Sequence, residues 1–96
     1  MYIKVHKSGE KEILAVCDED LIGKKLEQGD ICLDILETFY KGEKVEQKQL
    51  ESILENYDNI NIVGPKSIKI ALDINIIKEE SIIRIQGVPH AQIFTI

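Results

Sequence analysis

Apolar and polar residues alternate with a period of two at the start of the chain, where Ile3 and Val5 interleave with Tyr2, Lys4 and His6. The turn Lys7-Ser8-Gly9-Glu10 follows, so the pattern predicts a hairpin whose return strand is Ile13 to Cys17. That return strand has no polar interruption and is expected to be covered on both faces, at the centre of a sheet. Asp18 is placed to cap a short helix over Glu19 to Leu26, opened by acidic residues and followed by Lys24 and Lys25. After the turn Gln28-Gly29-Asp30, a third strand is expected from Ile31 to Leu36, and the polar stretch Lys41 to Lys44 breaks the pattern. Helical spacing returns from Glu46 to Tyr57 through Leu50, Ile53, Leu54 and Tyr57.

Asn59 to Val63 reads as a short strand stopped by Gly64-Pro65, with Pro65 suited to the first turn of a second main helix. Ile68, Ala71, Leu72 and Ile74 form the buried stripe of that helix, and Asn75 is its left-handed C-cap. Ser81 to Gln86 and Ala91 to Ile96 then form a terminal hairpin around the four-residue loop Gly87-Val88-Pro89-His90. No repeat or linker interrupts this order, so residues 1–96 read as a single domain. The expected fold is α+β, a mixed or antiparallel sheet of five or six strands with two main helices packed on it.

Composition fits that picture, since 44% of residues are hydrophobic and 30% charged, the balance of a packed globular chain. A net charge of −5 disfavours binding to a nucleic-acid backbone by overall charge. The N-terminus lacks the apolar core of a secretory signal and no run is long enough to span a bilayer, which makes the cytoplasm the expected location. Cys17 and Cys32 do not have the spacing of a metal or redox motif and are expected as reduced core thiols. No cofactor or metal is implied.

Candidate chemistry concentrates in Gly87 to Gln92, where His90 and Gln92 lie two residues apart on one face of a beginning strand and Pro89 stiffens the approach. Cys17-Asp18-Glu19-Asp20 sits at a strand end, a position at which α/β proteins bind ligands, although helix capping by Asp18 accounts for it more simply. Val63 to Ser67 can offer helix N-terminal amides to an anion but lacks the spacing of a phosphate loop. Phe39-Tyr40 beside Lys41 and Lys44 can stack on a base or serve as core and rim packing. His90, Gln92 and Pro89, with Asp18 and Lys24 from the acidic segment, form the candidate binding set.

Over nearly its whole length the chain resembles an archaeal family known as domain of unknown function 424. The likeness rests on Tyr2-Ile3-Lys4-Val5 with Ser8, Cys17-Asp18-Glu19 with Leu21 and Gly23-Lys24, and Phe39 to Glu43. It continues through Asn61-Ile62-Val63-Gly64 with Ala71 and ends in Gly87 to Gln92, its most specific stretch. The resemblance implies an archaeal, cytoplasmic protein without established activity, associated with translation. The expected function is therefore a non-catalytic module whose acidic faces dock on a basic protein or ribonucleoprotein surface, such as the ribosome or a translation factor. The alternative is a small enzyme or metabolite-binding protein with a pocket around His90 and Gln92.

Overall fold

The unbroken apolar run at 13–17 becomes the hub of the molecule in a computed structural model that describes residues 1–94. It lies in β2 (Lys11–Cys17), paired antiparallel with β1 (Tyr2–Ser8) and parallel with β6 (Asn59–Val63). Leu14, Ala15, Val16 and Cys17 are all fully buried, as a central strand covered on both faces requires. β8 (Val88–Phe94) pairs with β6, and β7 (Ile83–Ile85) and β5 (Glu43–Lys44) form the two edges. The resulting six-stranded mixed sheet has the order β5-β1-β2-β6-β8-β7. The fold class is α+β, as expected.

One sheet face buries Ile3, Leu14, Val16, Ile60, Ile62 and Ala91 against α2 (Gln47–Leu54) and α3 (Pro65–Asp73). Gln49 Oε1 accepts the Glu46 amide at 2.9 Å and closes the start of α2. At the end of α3, Asn75 adopts φ 62°, while its amide reaches Leu72 O and the Ile76 amide reaches Ala71 O. This is the left-handed cap expected of Asn75, closed as a Schellman motif.

Three expectations are corrected. The segment expected as a helix over Glu19 to Leu26 is a 3-10 turn at Glu19–Leu21 followed by β3 (Lys25–Gln28). Gly23 at φ +85° ends the turn, and the Asp18 side chain does not cap it. β3 pairs with β4 (Ile31–Asp34) in a separate two-stranded sheet, so the third expected strand is not part of the main sheet. Cys32, on β4, is an exposed free thiol rather than a core residue, whereas Cys17 is buried.

The terminal hairpin also turns earlier than the sequence suggests. Gln86 (φ 52°) and Gly87 (φ 79°) form a two-residue turn of the kind that follows strand twist, so Val88, Pro89 and His90 belong to β8 rather than to a loop. A glutamine at positive φ is costly, and here it is anchored twice. Its amide donates to Gln28 Oε1 and its Nε2 donates to Glu27 O, both at 2.7 Å, which ties β3 to the turn. The expected end of the hairpin at Thr95 and Ile96 lies outside the described residues. Among the described residues no helix is long and apolar enough to cross a membrane.

Candidate functional site

The second sheet face is only partly roofed. The β3–β4 hairpin and α1 (Glu37–Tyr40) bring Leu21, Leu26, Ile35 and Tyr40 onto Ala15, Cys17, Val63 and Ile85, a second core. Strand alternation puts His6, Ile13, Asn59, Asn61, Gln92 and Phe94 on the same face, and the row Lys4, Ala15, Asn61, Gln92 runs straight across four strands. Where the roof stops, a depression of about 310 Å³ lies between Ile13, Phe39, Asn59, Asn61, Gln92 and Phe94. Phe94 is 64% exposed, the most exposed of the described large apolar side chains. A second depression of about 300 Å³ shares Asn59 and Phe94 with the first and is rimmed by Glu10, Glu12, Asp58 and Lys11. This pair of hollows with common lining, one side amide-lined and the other acid-rimmed, is called the trough.

The floor is held by a polar chain. Tyr40 Oη donates to Asn61 Oδ1 at 2.7 Å, and burial pushes the phenol pKa up to about 12, so it remains a donor at neutral pH. His90 Nε2 lies 3.0 Å from the same oxygen. An amide oxygen only accepts, so the neutral imidazole carries its proton on Nε2. The wall is fixed as firmly: the His6 ring stacks on Phe39 with centroids 4.4 Å apart, and His6 Nε2 donates to Phe39 O at 2.8 Å. Lys4 Nζ donates to Thr38 O at 2.6 Å, which pins α1 to β1. Among the described residues the carboxamides of Asn59 and Gln92 make no hydrogen bond, and no buried side-chain nitrogen or oxygen lacks a partner. Gln92 is exposed and Asn59 half-buried.

The family model for Protein of unknown function (DUF424) matches residues 5–96. The chain belongs to that family. A crystal structure of an uncharacterized conserved protein from Methanopyrus kandleri is similar, with 31% identity and a TM-score of 0.77 over 96% of this chain and 88% of that one. No curated protein matches.

Pro89, His90 and Gln92 lie in succession on β8, with Pro89 buried, His90 half-buried and Gln92 exposed. His90 and Gln92 do share a face, and Gln92 opposes Asn61 across the ladder. Pro89 faces the other way, and its carbonyl accepts the Gly64 amide at 2.9 Å. Asp18 is 1% exposed and caps α3 instead of its own segment. Its Oδ2 accepts the Lys66 amide at 2.9 Å, while Oδ1 accepts the Ser67 amide at 2.8 Å and the Ser67 hydroxyl at 2.6 Å. The helix N-terminus considered for an external anion is already filled by this carboxylate. Lys24 is exposed, bonded through its backbone to Leu21 and Ile35, and no side-chain bond joins it to His90 among the described residues. The Cys17 thiol donates to Asp18 O at 3.1 Å, and burial, with the charge of Asp18 behind it, pushes its pKa up to about 12. It is not a thiolate nucleophile at neutral pH.

Asn59, Asn61 and Phe94 are not in the candidate binding set that the sequence offers, although Asn61 is among the residues that carry the family resemblance. The signal was present in Asn59-Ile60-Asn61-Ile62, where alternation that buries the isoleucines necessarily gathers the amides on the opposite face.

Burial lowers the His90 pKa below its ordinary 6.5. Above pH 6.5 the ring is neutral in both folded and unfolded chains and contributes no pH dependence. As pH falls through 6.5 the unfolded chain takes the proton first, and stability is lost until the folded pKa is reached. The melting temperature is therefore expected to drop more steeply on acidification below pH 6.5 for the wild type than for His90→Gln. Parallel curves for the two proteins would contradict the burial of this ring.

Proposed function

We propose that the protein is a non-catalytic binding module that docks on a basic protein surface of the translation apparatus through the half-roofed sheet face. The observation that carries this reading is the adjacency of two depressions that share Asn59 and the exposed Phe94, one lined by carboxamides and the other by three carboxylates and one lysine. The net charge of −5 favours encounter with a basic partner and opposes a phosphate backbone. An interface built this way is steered by charge at its rim and gains its area from the aromatic and amide centre.

Co-sedimentation with archaeal ribosomes tests it: the protein is expected to pellet at low salt and to remain in the supernatant at high salt. Absence from the low-salt pellet would contradict the reading. The alternative, a metabolite site around His90 and Gln92, draws support from the Tyr40–Asn61–His90 hydrogen-bond chain. A small-molecule-dependent rise in melting temperature that disappears in His90→Ala would favour it over docking.

A further inference from the structure

We infer that the trough recognises an arginine side chain on its basic partner, so that Asn59, Gln92 and Phe94 form a guanidinium pocket. The inference rests on the docking reading and specifies what that docking reads. A guanidinium is planar, weakly hydrated and a donor only, with five N–H groups in a rigid fork. The trough offers the complementary set. Phe39 and Phe94 present aromatic surface on which such a plane can lie. The carboxamide oxygens of Asn59 and Gln92 supply acceptors that no described residue occupies. Asn61 differs, because its oxygen already receives Tyr40 and His90, which leaves its NH₂ as a donor suited to a carbonyl of the incoming chain.

Charge supports the same occupant. Glu10, Glu12 and Asp58 line the adjoining hollow that shares Asn59 and Phe94, and among the described residues none of them is in a salt bridge, although five other ion pairs are formed. Lys11 is the single opposing charge there. The rim therefore favours a cation, while the aromatic and amide lining favours a flat one over the compact, strongly hydrated ammonium of lysine. A floor pinned by the Tyr40 and His90 hydrogen bonds keeps this lining preorganised.

Fluorescence anisotropy with labelled oligoarginine and oligolysine peptides of equal length tests the inference. Wild-type protein is expected to bind oligoarginine at least about ten-fold more tightly, a difference of about 1.4 kcal/mol. Phe94→Ala combined with Gln92→Ala is expected to abolish that preference while leaving the melting temperature unchanged, because both side chains are exposed. Equal binding of the two peptides by the wild type would overturn the arginine assignment and leave docking on basic surfaces intact. A preference that survives in the double variant would overturn the assignment of these residues. Failure to bind either peptide would overturn both the pocket and the docking reading.

Discussion

Asp18→Ala is expected to cost about 3 kcal/mol of folding stability and to lower the melting temperature by on the order of 15 °C. The size of the effect comes from what one carboxylate does for two helix amides 48 and 49 residues further on. α3 begins with Pro65, which has no amide hydrogen, so the amides of Lys66 and Ser67 are the donors left to satisfy. Asp18 accepts both, and it also accepts the Ser67 hydroxyl. Ser67 is fully buried, so water cannot replace the lost acceptor without opening the site. Asp18→Asn retains one acceptor oxygen and is expected to lose less, with Ala and Asn compared by urea denaturation. An alanine variant within about 0.5 kcal/mol of wild type would mean that the cap is not what holds α3 on the sheet.

Gly64→Ala is expected to be at least as damaging, at about 4 kcal/mol. Gly64 sits at φ 114° and ψ 145°, a region open essentially to glycine alone. A Cβ there would overlap Asp18 Cγ and come within 2.7 Å of Asp18 Cβ. The carboxyl part of the overlap is separable, because Asp18→Ala removes Cγ and Oδ1 while keeping the Cβ contact and the backbone conformation required. The double variant is accordingly expected to lose about 1–2 kcal/mol less than the sum of the single variants. Strict additivity would show that overlap with the Asp18 carboxyl group contributes nothing to the cost at Gly64.

These two residues also mark how far the sequence could be read. Local patterning was sufficient for β1, β2, both main helices and the Asn75 cap, because each rests on periodicity or on a neighbour within a few positions. It failed at Asp18, where the nearest helix-like segment looked like the partner and the true partner is reached only by the parallel pairing of β2 with β6. It failed again at Gln86-Gly87, whose turn is supported by Gln28 and Glu27 from a hairpin almost 60 residues earlier. His90 and Gln92 were legible as a pair on one face, since strand alternation is local. Their neighbours Asn61 and Tyr40 were not joined to them, because that contact depends on strand order and on α1 folding over the sheet.

The most direct test of the account is ribosome co-sedimentation at low salt with wild-type protein beside the Gln92→Ala/Phe94→Ala variant. Both side chains are exposed in the trough, so the variant should fold with an unchanged melting temperature. If the half-roofed face is the docking surface, the variant is expected to bind at least about ten-fold more weakly than wild type, the loss of one good aromatic contact and one hydrogen bond. Wild-type binding that the double variant retains in full would contradict the account and place the interface elsewhere on the molecule.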